Sequence, residues 1–405
     1  MKSFLDLPAA AARLHVGIWS IVIVISVQAF NLFDRDMPWR GEWNWAVDWA
    51  GSGLIIIGPL LAGVAAVDGG KMKSERRLPQ ASLISRPIRA IMGLWLTSAV
   101  PAVTAYVLSV GIFLYIADSA TVVPRTPALL LILAQASALS AYILLGSVIG
   151  RMLGAVVGAP ASAVGAVTIY WSLGRGGGDF APFDVGSATS SLLGLQFSTT
   201  YILLQLSYLM AFMAGCLAVH AAINTRFQTP TAAGIAMAIT LSSVVPIAMP
   251  RFKEHEVSAS TCVSVQVTVC VYPEHERFLP DLARDVSIVQ QAASQIGIAD
   301  LLPRVYVERI PGEGIRSLDD QRGRLEIKPN DFSAGKVPIA DVVHAIVLPW
   351  HCPQLFGENP PPPHFVGDIT RIADTLTLLV ESKTEPELTV GDARKTVAAI
   401  NRCES

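Results

Sequence analysis

Charged residues are scarce in this chain of 405 residues. Asp, Glu, Lys and Arg together make up 15% of it, whereas a water-soluble domain usually carries about 25%. The net charge of −2 argues against a protein that binds nucleic acid electrostatically. Apolar residues make up 52%, which is too many for a disordered protein. The composition therefore argues against an ordinary cytosolic enzyme and indicates a membrane protein.

The scarcity of charge is confined to one part of the chain. Residues 1–250 contain 14 basic and 10 acidic residues, whereas residues 251–405 contain 16 and 22. The first part is typical of a membrane domain, and the second has the length and charge of a soluble domain. We therefore predict an α-helical polytopic membrane domain over 1–250, followed by a soluble α+β domain over 251–405.

Motifs that carry catalysis or bind cofactors are also missing. Between Gly63 and Lys71 the glycine spacing is wrong for a phosphate-binding loop, and Met72 stands where Ser or Thr is needed. The helix predicted around His344 has Leu348 at the second ligand position of a zinc-binding His-Glu-x-x-His motif. We interpret His344 as a surface or core histidine, and predict no catalytic residue, metal or cofactor.

Seven apolar stretches in the first part approach the length of about 20 residues that a membrane-spanning helix needs. They lie at about 16–33, 49–67, 91–117, 128–149, 154–171, 200–223 and 231–249. No Lys or Arg lies inside any of them, as expected from the cost of burying such a charge in lipid. The sequence thus predicts about seven transmembrane helices.

The charges between these stretches predict the orientation of the chain. The segment between the second and third stretches carries Lys71, Lys73, Arg76, Arg77, Arg86 and Arg89. Cytoplasmic loops collect basic residues, so we place this segment and the N-terminus in the cytoplasm and residues 251–405 outside the cell membrane. By this assignment 10 of the 14 basic residues lie inside and 7 of the 10 acidic residues outside. A cleaved signal peptide over the first stretch would leave the tail on the same side.

Polar and small residues within the apolar stretches are few. The polar ones are Gln135, Gln205 and His220, and we place His220 near the inner boundary. The absence of acidic or basic residues well inside a helix disfavours a proton- or sodium-coupled transporter. Glycines at 146, 150, 154 and 158 recur every four residues and predict close packing of neighbouring helices.

Tryptophans cluster at predicted membrane boundaries, at positions 39, 43, 45, 49 and 171. Such residues usually anchor a protein at the membrane–water interface. The alternative is a platform for a ligand.

The second part shows a strand pattern followed by helical patterns. Residues 257–272 alternate strictly and predict a half-buried strand or hairpin, and the spacing from Leu279 to Ile296 predicts an amphipathic helix. Further strands are predicted at 304–309 and 324–328, and helices at 338–348, 366–382 and 390–402.

Four of the five cysteines, Cys262, Cys270, Cys352 and Cys403, lie in the domain placed outside. An even number there indicates two disulfides with three possible pairings. We favour Cys262–Cys270, which requires a hairpin, and Cys352–Cys403. A zinc site that includes His351 or His364 is the rival interpretation. Cys216 lies in an apolar stretch, where it would be a packing residue.

Residues 1–225 resemble the membrane subunits of ABC-type exporters of the second class. Those subunits have a basic inner segment, a tight inner turn and a longer, often partly re-entrant outer loop. Here the matching positions are 71–89, 150–152 and 172–199. The resemblance implies a non-catalytic subunit, a homo- or heterodimer of permease subunits in membrane lipid, and a separate cytoplasmic ATP-binding subunit. The loop 68–90 would contact that ATPase through its six basic residues.

The tail also resembles a known arrangement. Val269–His275, followed by a helix after Pro280, is similar to the tails of actinobacterial-type permease-like membrane proteins. Their outer domains look like degenerate relatives of zinc aminopeptidases, whose metal-binding helix would correspond to Val343–Val347. Two alternatives therefore stay open: a membrane-anchored sensor or binding protein that uses the exterior domain, and a degenerate membrane-tethered peptidase relative.

Overall fold

The structure is a computed structural model of the chain. It describes residues 7–34, 37–75, 87–117, 126–173, 180–186, 188–189, 191–222, 250–254, 261–309, 322–328, 331, 335–352, 355, 361–381 and 388–403. In residues 7–222 these ranges form a helical bundle. Most of residues 261–403 form a smaller domain of strands and helices.

Helices coincide with six of the seven apolar stretches. They are α1 (Leu7–Phe33), α2 (Trp43–Ser52), α3 (Leu54–Glu75), α4 (Pro87–Ala117), α5 (Thr126–Leu153), α6 (Ala155–Leu173) and α7 (Thr199–Ala222). Within the described ranges, 5 helical spans are long and apolar enough to cross a membrane, with α2 and α3 counted as one, and Gly17–Phe33 is apolar but shorter. This is fewer than the seven predicted, and the stretch 231–249 lies outside the described residues.

The surface of the bundle is apolar. Most of the large apolar side chains that are exposed lie between residues 17 and 210, and Tyr115 and Val156 are 85% and 89% exposed. Exposed apolar surface on this scale is unfavourable in water. It fits helices whose outer faces contact lipid, so these apolar helices indicate a membrane protein.

Three helices approach one another closely through small residues. A β-carbon at Gly146 would lie 2.0 Å from the carbonyl oxygen of Ala62, and one at Gly150 would lie 1.9 Å from that of Ala66. Only glycine therefore fits at these contacts between α5 and α3. Gly154 has a φ of +89° and is the single residue between α5 and α6, where glycine adopts this backbone conformation without strain. The predicted close packing is confirmed.

A four-stranded mixed sheet organises the smaller domain. Its strands are β3 (Thr261–Ser264), β4 (Thr268–Val271), β5 (Val305–Glu308) and β6 (Arg322–Leu325), in that order across the sheet. Strand β4 pairs antiparallel with β3 and parallel with β5, and β5 pairs parallel with β6. Helix α8 (Leu279–Gln295) connects β4 to β5, as a crossover between parallel strands requires.

Three more helices complete this domain: α9 (Ile339–Val347), α10 (Pro363–Val380) and α11 (Val390–Asn401). Val286, Val343, Ile372 and Ala393, one from each of the four helices, are buried in a common core. The predicted strands and helices of this part are confirmed, with shifts of a few residues at their ends.

Both favoured cysteine pairings are present as disulfides, Cys262–Cys270 and Cys352–Cys403. Within the predicted range 257–272, the described residues 261–271 form a hairpin rather than one strand, and Cys262 lies directly opposite Cys270 across β3 and β4. Cys216 is buried and not disulfide-bonded, as expected for a packing residue.

A two-stranded sheet joins the bundle to the chain that leads into the smaller domain. Strand β1 (Leu195–Phe197) immediately precedes α7, and it pairs antiparallel with β2 (Phe252–Glu254). We call this end of the bundle the β1–β2 end. The opposite end, where α5 turns into α6, is the Gly154 end.

Candidate functional site: a segment that enters the helical bundle

Residues 180–186, which precede α7, leave the β1–β2 end and enter the bundle. They are not helical, yet Phe180, Ala181, Phe183 and Val185 are all buried. We call residues 180–186 the re-entrant segment.

The depth of this segment is defined by aromatic contacts. The ring of Phe183 lies 5.3 Å from that of Tyr142 in α5 and 5.4 Å from that of Phe212 in α7, measured between centroids. Phe212 lies 13 residues after the start of α7, which corresponds to roughly 20 Å along a helix. Phe183 therefore reaches the middle of the bundle, where Tyr208 also packs against it edge to face.

Irregular backbone at this depth needs hydrogen-bond partners, because lipid offers none. Gln135 in α5 donates to the carbonyl oxygens of Val47 and Val185, at 2.9 and 2.8 Å. Gln205 in α7 donates to the carbonyl oxygen of Asp184, at 2.9 Å. The hydroxyl of Tyr201 lies within hydrogen-bonding distance of both the amide and the carbonyl oxygen of Ala181. Gln135 and Gln205, two of the few polar residues in the apolar stretches, thus donate hydrogen bonds to backbone carbonyl groups of the re-entrant segment, which lies between α5 and α7.

A buried ion-pair cluster fixes the segment at the β1–β2 end. Arg251 pairs with Asp48, which is fully buried in α2, and with Asp184, at 3.3 Å. The second oxygen of Asp48 accepts from the amide of Ala188 at 2.7 Å. The cluster therefore joins α2, the re-entrant segment and the residue that precedes β2. Arg251 also lies over the ring of Phe252.

Two of the features at this end differ from the sequence prediction. Asp48 lies inside a helix, because α2 begins at Trp43, six residues before the predicted stretch. Trp39, Trp45 and Trp49 are buried, so neither an interfacial belt nor an open ligand platform describes them. The physical reason is that each ring packs or bonds inside the bundle: Trp39 packs on Phe113, and the indole groups of Trp45 and Trp49 donate to the carbonyl oxygens of Ala188 and Asn31. Trp171, by contrast, is half exposed, as an interfacial residue would be.

A second polar cluster lies where the bundle meets the smaller domain. Both oxygens of the buried Glu42 carboxylate accept hydrogen bonds, from the hydroxyl of Ser191 at 2.6 Å and from the amide of Leu192 at 2.8 Å. The next residue, Leu193, packs in a small apolar cluster with Cys270 and Tyr272 of the smaller domain. Burial raises the pKa of Glu42 to about 7, and the nearby His275 opposes this rise.

His275 and Glu308 form a buried pair on the other side of this junction. Nδ1 of His275 pairs with one oxygen of Glu308, and the other oxygen accepts from the amide of Tyr272 at 2.8 Å. Burial alone would lower the pKa of His275, but the carboxylate of Glu308 and the more distant Glu42 raise it above the usual value. The junction therefore holds two carboxyl groups and one imidazole away from water.

The predicted ATPase-coupling loop is only partly described. Helix α3 continues to Glu75 and α4 begins at Pro87, so the helices extend well into the predicted loop 68–90. Lys71 lies within α3, and its amine is 3.2 Å from the carboxylate of Asp68. Residues 76–86 lie outside the described residues, as do the side chains of Lys73 and Arg89.

The zinc site that the sequence offered as the rival of the disulfides is not favoured by the geometry around His351. His351, Cys352 and Cys403 lie together, with their potential ligand atoms within 4.8 Å. However, the two sulfur atoms are bonded to each other, and Nε2 of His351 lies 2.7 Å from the carbonyl oxygen of Asn401. His344 lies in α9 and is exposed, as expected for a surface histidine. The side chain of His220 lies outside the described residues.

Comparison with known proteins does not identify a family for this chain. No protein-family model matches the chain, and no curated protein or solved structure is significantly similar to it.

Proposed function

We propose that the chain is the membrane subunit of an ABC-type exporter that is not itself catalytic and works with a separate cytoplasmic ATP-binding subunit. In this proposal seven helices cross the cell membrane, the N-terminus is cytoplasmic and residues 251–405 are extracytoplasmic. The observation that carries the proposal is the re-entrant segment, which enters the bundle ahead of α7. The exporter subunits that residues 1–225 resemble often have a partly re-entrant loop at this position.

The positions of the two ends of α7 support a further crossing after α7, by the stretch 231–249. The amide of Ser198, just before α7, donates to the carbonyl oxygen of Arg251 at 2.8 Å, so Arg251 lies at the β1–β2 end. Ala222 ends α7 after 24 residues, roughly 35 Å away. The chain from Ala222 to Arg251 must return over the length of the bundle, and the apolar stretch 231–249 supplies 19 of the about 20 residues that a membrane-spanning helix needs.

The disulfides support the same orientation. Cystines persist on the oxidising side of a membrane, and both lie in the smaller domain. Lys71, where the strongly basic segment 71–89 begins, belongs to the opposite, Gly154 end, because a β-carbon at the neighbouring Gly70 would lie 2.2 Å from the amide nitrogen of Ala155. This agrees with the tendency of basic residues to stay in the cytoplasm.

Export would proceed by alternating access. ATP-driven closure of the partner subunit would displace the segment 71–89, and α3 would transmit this displacement to α5 through the close contacts at Gly146 and Gly150. The re-entrant segment packs against α5 and α7, so repacking of these helices would move it. Phe183 would then open or close the path at the middle of the bundle.

The test is co-purification of the tagged chain with its ATP-binding subunit from native membranes. Reversing the charges of Arg76, Arg77, Arg86 and Arg89 should remove the ATPase from the purified complex without preventing membrane insertion. A matched control reverses three exposed charges of the smaller domain, Lys336, Arg371 and Lys395, and should leave co-purification unchanged. Undiminished co-purification of the first variant would reject the coupling role.

A further inference from the structure

The junction between the bundle and the smaller domain buries ionisable groups from both sides. Glu42 comes from the turn before α2, whereas His275 comes from the short 3₁₀ helix Pro273–Phe278 and Glu308 from β5. All three are almost completely buried. Glu274, on the same 3₁₀ helix as His275, also lies close enough to influence Glu42.

We propose that this junction is a proton-dependent latch: Glu42 binds a proton when the smaller domain docks on the loop Ser191–Leu193, so docking tightens as the surrounding medium becomes acidic. The proposal goes beyond the transport function and does not depend on it.

Geometry explains why docking and protonation are linked. Leu193, at 4% exposed, is covered by Cys270 and Tyr272 of the smaller domain, with Val307 packed against them. Glu42 binds Ser191 and Leu192, the residues just before Leu193, and lies close enough to His275 and Glu274 of the smaller domain to interact with their charges. We therefore expect undocking to hydrate the Glu42 carboxylate. Hydration stabilises the charged form of a carboxyl group and returns its pKa toward the ordinary range.

Glu42 sets the direction of the pH dependence. Burial raises the pKa of Glu42 from 4.5 to about 7, so its contribution to docking is fully present below pH 4.5 and is lost as the pH rises through about 7. At His275 burial lowers the pKa, whereas the carboxylate of Glu308 and the more distant Glu42 raise it above the usual value. Its main partner, Glu308, belongs to the same domain as His275, so we assign the latch to Glu42 alone. A further charged group on this 3₁₀ helix is Arg277, whose guanidinium lies over the ring of Phe278.

The expected size of the effect follows from the shift at Glu42. If docking accounts for the whole rise of the Glu42 pKa from 4.5 to about 7, docking weakens by at most roughly 70-fold between about pH 5 and about pH 8.

Hydrogen exchange of the full-length chain in nanodiscs measures docking even when undocked molecules are rare. Protection of peptides covering 191–197 and 268–275 should fall by tens of fold between about pH 5 and about pH 8, after correction for the intrinsic pH dependence of exchange. Protection within α5 should not follow this change, because α5 does not take part in docking.

Two variants separate the latch from general effects of pH. Glu42→Gln keeps a side chain that can bind Ser191 and removes the titrating group, so most of the pH dependence should disappear. Glu276→Gln makes the same charge change at an exposed position of the 3₁₀ helix Pro273–Phe278, next to His275. This control should keep the pH dependence of the original chain. Protection that is independent of pH in the original chain, or a pH dependence that persists in Glu42→Gln, would overturn the proposal.

Discussion

The guanidinium of Arg251 pairs with the carboxylate of Asp48, 203 residues earlier in the sequence, inside the β1–β2 end of the helical bundle. The pair lies beside Asp184 of the re-entrant segment. Since Arg251 immediately precedes β2, the same contact fixes the re-entrant segment and the start of the chain that leads to the smaller domain. Movement of the re-entrant segment would therefore be transmitted to the chain that leads to the smaller domain, and the reverse.

Loss of this ion pair should destabilise the bundle. Removing one partner leaves a buried charge without compensation, which costs on the order of 3 kcal/mol. Asp48→Ala should therefore clearly lower the midpoint temperature of thermal unfolding, measured in detergent. The double variant Asp48→Ala/Arg251→Ala should lose less than the sum of the two single variants. Asp300→Ala breaks an exposed pair with Arg394 and should have little effect. Additive losses would contradict the pairing.

The glutamines that bind the re-entrant segment should be individually important. Gln135→Met and Gln205→Met keep the length of the side chain but remove the donors to Val185 and Asp184, and an unsatisfied buried carbonyl costs about 1–3 kcal/mol. Both variants should unfold at lower temperature. Gln291→Met, at an exposed position of α8, provides the control. Full stability of both bundle variants would mean that the segment does not enter between α5 and α7.

The contact between α3 and α5 should not tolerate a larger residue. Gly150→Val places a side chain against the backbone of Ala66, and overpacking typically costs about 1–3 kcal/mol. Gly111→Val makes the same change on α4, where nothing lies within 4 Å of the added β-carbon. Thermal unfolding should separate the two variants, and equal stability would contradict the close approach.

The two disulfides should contribute unequally to stability. Their cysteines are 51 and 8 residues apart in the sequence. If disulfides act mainly by restricting the unfolded chain, the longer loop gives about 4 kcal/mol and the shorter about 2.5 kcal/mol. Paired Cys→Ala replacement of Cys352 and Cys403 should therefore lower the unfolding midpoint of the smaller domain more than replacement of Cys262 and Cys270. The reverse order would show that strain or local packing dominates.

Local patterns in the sequence predicted the elements more reliably than their contacts. Apolar runs of sufficient length located six helices, and alternation with paired cysteines located the β3–β4 hairpin. The pairing of Asp48 with Arg251 was not predictable, because no local pattern connects residues so far apart. The tryptophans were misinterpreted for the same reason, since their partners are distant in the sequence: Trp39 packs on Phe113, Trp45 bonds to Ala188 and Trp49 to Asn31. Gln135 and Gln205 were visible as polar residues in apolar runs, but their hydrogen bonds to the re-entrant segment were not. The segment lies within the loop 172–199, for which only the resemblance to exporter subunits suggested a partly re-entrant path.

The position of the two domains across the membrane is the central claim, and accessibility in intact cells tests it most directly. One epitope tag would follow Ser405, and a second would be inserted between Arg77 and Arg86 in a separate variant. An external protease should remove the tag after Ser405 in intact cells and should reach the inserted tag only after the membrane is opened. Protection of the tag after Ser405, or equal cleavage of both tags in intact cells, would contradict the account.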